Sequence, residues 1–131
     1  MSLKVLLIDD HMLFREGLIS LLQRRNIEVL AAVGDGNEGI RLAQEMQPDI
    51  ILLDIEMPRM DGYELLNHIR ADARLRHVPI VMITSRAGQK HRQKARKAGA
   101  NAYLTKPYQE VELVEQVSAM LDIELTPRRS D

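Results

Sequence analysis

Cysteine is missing from all 131 residues, so neither a disulfide framework nor a thiolate metal site is available. An excess of charge of one sign is missing too. The 18 Lys and Arg residues against 19 Asp and Glu leave a formal net charge of -1, which gives no global field to draw in nucleic acid. No apolar run approaches the ~20 residues needed to cross a bilayer. The N-terminus has no basic segment followed by an apolar stretch and a cleavage site. The expectation is a soluble protein of the cytoplasm that neither binds nucleic acid directly nor enters a membrane. Glycine-rich phosphate loops are absent as well: the turn after the first apolar run reads Asp10-His11-Met12-Leu13, which fits no dinucleotide or P-loop pattern. What the chain does have is 45% hydrophobic residues, enough for one core of ordinary size at this length.

Short apolar runs alternate five times with longer segments at helical spacing, without an internal repeat. Val5 to Ile8 ends in Asp9-Asp10 and precedes a helix with Phe14, Leu18, Leu21 and Leu22 on one face. Ile27 to Val33 gives a second strand, and Gly34-Asp35-Gly36-Asn37 is a turn that can cap the next helix. Ile50 to Leu53 is continuously apolar, as a strand covered on both faces must be, and it ends at Asp54. Ile80 to Ile83 leads into Thr84-Ser85, and Ala102 to Thr105 into Lys106-Pro107. Strands separated by helices need right-handed crossovers, which stack them as a parallel sheet with helices on both faces. The fold class is therefore α/β, three layers, with the domain over residues 4–122 and residues 123–131 as a tail or the start of a linker. In such sheets the ligand crevice lies at the carboxyl ends of the strands.

Those ends carry Asp9, Asp10, Asp54, Thr84 and Lys106. One polar strand end means little, but three carboxylates, a hydroxyl and an ammonium on one edge form a specific pattern. Clustered carboxylates repel one another unless a counter-charge is present. With only oxygen ligands on offer, Mg²⁺ suits better than zinc. A metal, a carboxylate able to act as nucleophile and donors for phosphoryl oxygens are the parts of a phosphoryl-transfer site.

At these residues the chain resembles the receiver family of two-component response regulators, including single-domain chemotaxis receivers, across about residues 4 to 121. The acidic pair Asp9-Asp10, Asp54, Thr84 and Lys106-Pro107 match the family's pattern, as does the loop Met57-Pro58-Arg59-Met60-Asp61-Gly62. The resemblance implies a doubly wound (βα)5 flavodoxin-like sheet of order 2-1-3-4-5. It implies phosphorylation of Asp54 by a histidine kinase, and Mg²⁺ held by Asp10, Asp54 and the backbone carbonyl of Glu56, with Asp9 acting through water. Lys106 and Thr84 would meet the phosphoryl oxygens, Tyr103 would act with Thr84 as a switch, and Lys106-Pro107 would be a cis peptide. The further partners implied are an output domain or target protein and a homodimer formed on activation through the helix 4, strand 5, helix 5 face.

Several residues have plainer readings. His11 reads as a flanking polar residue at a helix start, and His68, His77 and His91 show no ligand spacing. Ser85 reads as a helix N-cap, and Glu56 and Arg86 either as a pair across the site mouth or as two independent exposed charges. Helix four carries six Lys or Arg residues between Arg86 and Lys97 and can bury little beyond Ala87, Ala95 and Ala98. Helix five is read as burying Val111, Val114, Val117 and Leu121, with Leu113 and Met120 off the stripe as scattered surface residues or part of a self-association face. A haloacid dehalogenase-type phosphotransferase, which places its nucleophile and acid two residues apart after strand one, is the competing enzyme class. A receiver acting by binding alone is the other alternative. The output is not legible: Leu7 to Leu18 and Leu125-Thr126-Pro127-Arg128 look like NarL/LuxR-type transcription regulators, whereas Ser85 to Lys106 looks like receivers of hybrid or chemotaxis-type kinases.

Overall fold

Strand and helix alternate as the apolar periodicity predicts in the computed structural model, which describes residues 3–54, 62–85, 88–106 and 108–125, with side chains up to residue 120. The strands are β1 (Leu3–Ile8), β2 (Ile27–Val33), β3 (Ile50–Asp54), β4 (Ile80–Thr84) and β5 (Ala102–Thr105). The helices are α1 (Met12–Arg24), α2 (Gly36–Met46), α3 (Gly62–Ala71), α4 (Gln89–Ala98) and α5 (Glu110–Leu125). Every strand pair is parallel and the order is β2-β1-β3-β4-β5, the flavodoxin-like arrangement expected. α5 continues to Leu125, past the expected start of the tail at residue 123.

Side chains alternate across each strand, so one sheet feeds two cores. Leu6, Ile8, Ile51, Leu53, Ile80 and Met82 face Ala43 of α2, Leu65, Leu66 and Ile69 of α3 and Ala95 of α4. Val5, Leu7, Ile50, Leu52, Val81, Ile83 and Leu104 face Leu18, Leu21 and Leu22 of α1 and Leu113 and Val117 of α5. Being covered on both faces is why β3 and β4 are apolar without alternation. α2 comes so close to β1 that a Cβ on Gly39 would stand 2.6 Å from Ile8 Cδ1, which explains a glycine inside that helix.

The caps follow local chemistry. Asp35 precedes α2 and its carboxylate accepts from the Asn37 N–H at 3.3 Å, as the turn cluster predicted. α4 ends at Gly99, whose φ of 114° is the left-handed conformation that glycine adopts without strain.

Two expectations are corrected. Among the described residues the α5 stripe is Leu113, Val117 and Met120 with Val114 at its side, whereas Val111 is 54% exposed and the Leu121 side chain lies outside those described. Leu113 is fully buried, so it belongs to the core and not to a self-association face. Apolar residues surround much of this helix, and both spacings fit 3.6 residues per turn, so periodicity alone does not fix its phase. Ser85 is not the N-cap of α4, because that helix starts later and its capping position is Gly88. The alanine packing of α4 holds: Ala95 is buried and Ala98 partly so, while Ala87 lies outside the described residues.

Arg70, near the end of α3, ties together segments distant in sequence. Its guanidinium donates to Gly99 O at 2.8 and 3.0 Å, to Arg76 O and Val78 O at 2.8 Å each, and to Asn101 Oδ1 at 2.8 Å. Asn101 Oδ1 also accepts from the Ile80 N–H at 2.9 Å. A planar fork serves this many acceptors and an ammonium does not. Arg70→Lys is therefore expected to lower unfolding free energy by about 2–3 kcal/mol, the scale of one or two lost charged hydrogen bonds. Urea denaturation would register a lower midpoint at an unchanged slope.

Candidate active site

The strand order reverses between β1 and β3, because the chain winds outward from β1 to β2 and from β3 to β4 and β5. A crevice at the carboxyl edge belongs at this switch point. The register fills it. Ile8 is paired with Leu53, so Asp9 and Asp54 follow on adjacent strands; Asp54 is paired with Ile83, which puts Thr84 next; Thr84 is paired with Thr105, which leads to Lys106. The Lys106 N–H donates to Thr84 O at 2.6 Å and the Asp9 N–H to Val33 O at 2.8 Å, so the ladders hold these residues in place beyond the strand ends.

Among the described residues the buried polar side chains are Asp9, Asp54 and Thr84, each at most 1% exposed, and all three lie at this edge. Lys106 Nζ stands 3.6 Å from Asp54 Oδ2 and 3.7 Å from Asp9 Oδ2, and 4.1 Å from the centre of the Phe14 ring. The ammonium meets two of the three carboxylates. Asp9 Oδ2 and Asp10 Oδ1 are buried without a hydrogen-bond partner among the described residues. Burying such oxygens is costly unless a cation serves them. The donor set is thus suited to a divalent metal.

The imidazole of His11 joins this cluster. Its Nδ1 lies 3.3 Å from Asp9 Oδ1, 3.7 Å from Asp10 Oδ1 and 3.3 Å from Asp54 Oδ2. His11 does stand at a helix start, as the N-cap residue of α1, but its ring meets the carboxylates. The signal for this was its place directly after the acidic pair. Tyr103 is half-buried on β5 with the Arg92 guanidinium 5.3 Å from its ring centre. Glu56, Arg86 and Pro107 lie outside the described residues.

The response regulator receiver domain model matches residues 5–118. The chain belongs to that receiver family. It is a signalling phosphoacceptor module of two-component systems. The transcriptional regulatory protein PdtaR of Mycobacterium tuberculosis is 35% identical over 114 residues, 87% of this chain. The chain spans 54% of the length of that relative. The chemotaxis protein CheY4 of Vibrio cholerae superimposes with a TM-score of 0.86 at 30% identity, covering 92% of this chain and 100% of that one. The receiver domain of a Pseudomonas aeruginosa sensor histidine kinase, solved with a magnesium ion coordinated in its active site cleft, gives a TM-score of 0.83 at 31% identity, covering 92% and 98%. A transcription regulator, a chemotaxis protein and a histidine kinase all carry this receiver, which is why output was not legible. Among the described residues no helix is long and apolar enough to cross a membrane.

Tyr108, edge-on to Phe14 at 5.7 Å, closes the apolar side of the site. Burial and then the Asp9 carboxylate push its hydroxyl up to about 12. The native state thus keeps a proton that the unfolded chain has released above its ordinary value of about 10. This contribution to stability is complete below about pH 10 and is lost as pH rises toward about 12. Unfolding free energies measured across that window should decline more steeply for the parent than for Tyr108→Phe.

Proposed function

We propose that Asp54 is the phosphoacceptor of this receiver and takes its phosphoryl group from the phosphohistidine of a partner kinase. The observation that carries the reading is the Asp54 carboxylate, buried at the end of β3 with Lys106 Nζ 3.6 Å away. An Asp54 oxygen forms the new bond to phosphorus as the bond from phosphorus to the kinase histidine nitrogen breaks, and the electron pair of that bond returns to the imidazole. Lys106 pairs with a phosphoryl oxygen and the Thr84 hydroxyl donates to another. Asp10, Asp54 and the backbone carbonyl of Glu56 would hold Mg²⁺, with Asp9 acting through water. When bound, the ion supplies positive charge against the phosphoryl and carboxylate oxygens. The same site assists the later attack of water on the acyl phosphate, so the domain assists both its phosphorylation and its dephosphorylation without turning over a separate substrate.

The switch follows from the same residues. A dianion at Asp54 draws Thr84 and Lys106 inward, and Tyr103 and α4 respond because α4 packs through alanines. The face of α4, β5 and α5 then meets an output domain, a target protein or a second copy of the chain.

With Mg²⁺ and acetyl phosphate, intact-mass analysis should find one added phosphoryl group on the parent and none on Asp54→Asn; equal labelling of the two would remove Asp54 from this role. Mg²⁺ should also stabilise the fold, by about 1.4 kcal/mol at tenfold excess over Kd, since it binds the native pocket and not the unfolded chain. Asp10→Asn relieves repulsion and should fold well, yet its thermal melts should gain much less from Mg²⁺ than those of the parent.

A further inference from the structure

The residues from Asp9 to His11 fold back on themselves. The His11 N–H donates to Asp9 Oδ1 at 2.8 Å, and His11 has an extended backbone, with φ -88° and ψ 102°. This turn brings the ring over the carboxylates instead of out along the helix. The three contacts of Nδ1, at 3.3, 3.7 and 3.3 Å, are longer than the 2.7–2.9 Å of a charge-assisted N–H···O bond. One Nδ1–H also cannot serve three oxygens. The two contacts at 3.3 Å, to Asp9 and Asp54, match the edge of a tetrahedron of ligands around a common ion with bonds of about 2.0–2.1 Å, and the contact to Asp10 is longer at 3.7 Å. One donor atom from each of Asp9, Asp10, His11 and Asp54 lies within 4.8 Å of the others.

We infer that His11 is a ligand of the divalent cation in this pocket, and that it shifts the pocket's preference from Mg²⁺ toward first-row transition ions. This rests on the reading that the acidic pocket holds a divalent cation. Buried Asp9 Oδ2 and Asp10 Oδ1 accept no hydrogen bond among the described residues, which favours a cation in the pocket. Mg²⁺ prefers oxygen and dehydrates reluctantly, so a ring nitrogen adds little to its binding. Imidazole suits the later first-row ions, whose affinity for nitrogen sites rises from Mn²⁺ through Co²⁺. His68, His77 and His91 join no metal-capable group among the described residues, which leaves His11 as the nitrogen donor of the pocket.

Co²⁺ and Mg²⁺ affinities, measured by calorimetry on the parent, His11→Ala, His11→Asn and a His91→Ala control, test this. Asn retains a good helix cap, so the two His11 variants together separate a lost ligand from a disturbed helix start. The ratio of Co²⁺ to Mg²⁺ affinity should fall about tenfold or more in both His11 variants, at least the loss expected for a group supporting a ligand. His91→Ala should match the parent. The visible Co²⁺ spectrum should change in the same two variants, and the nitrogen coupling of bound Mn²⁺ in pulsed electron paramagnetic resonance should disappear from them. If Mg²⁺ binds but the affinity ratio and spectra are indifferent to His11, or follow His91, the histidine ligand is wrong and the acidic pocket stands. If the parent binds neither ion, the pocket reading fails with it.

Discussion

Two carboxylates held side by side at the ends of adjacent strands are the constraint on which this structure depends. Asp9 and Asp54 are almost wholly buried, and Asp10 brings a third charge to the same edge. Ionised groups in such a place repel one another and lose hydration, so the native fold must offset both. Lys106 supplies one positive charge on the β5 side and the Asp9 turn supplies a backbone N–H. The sheet makes the cluster persist, because parallel register leaves these side chains no other direction while the apolar residues behind them remain paired.

Those strand ends were legible in the sequence because four of the five apolar runs, all but the second, stop at a polar residue. A continuous run such as Ile50 to Leu53 is a strand covered on both faces, and its end fixes where Asp54 sits. Thr84 and Lys106 follow by the same logic. The cap at Asp35 was also legible, since it depends on chemistry within a few residues.

Features that depend on distant contacts or on backbone angles were not. The phase of α5 is decided by which side meets β3 and β5, and its apolar residues fit more than one choice. The ring of His11 turns toward the acids because of its own φ and ψ and one bond two residues back, which side-chain type does not reveal. Arg70 reads as an ordinary basic residue at a helix end, and its role comes from carbonyls that only the folded chain brings near.

The Arg70 bonds to Gly99 fix one end of α4, whereas its opposite end begins at Gly88, whose φ is 116°. Were α4 to tilt about its Gly99 end, its first turn would move most. Over its ten residues, about 15 Å at the usual rise, a tilt of about ten degrees carries the far end roughly 2.6 Å while leaving the pivot at rest. The displacement of its basic side chains is therefore graded along the helix. Lys90 and His91 would then travel farthest and Arg96 and Lys97 least, so a partner reading the first turn would sense a larger change than one reading the last.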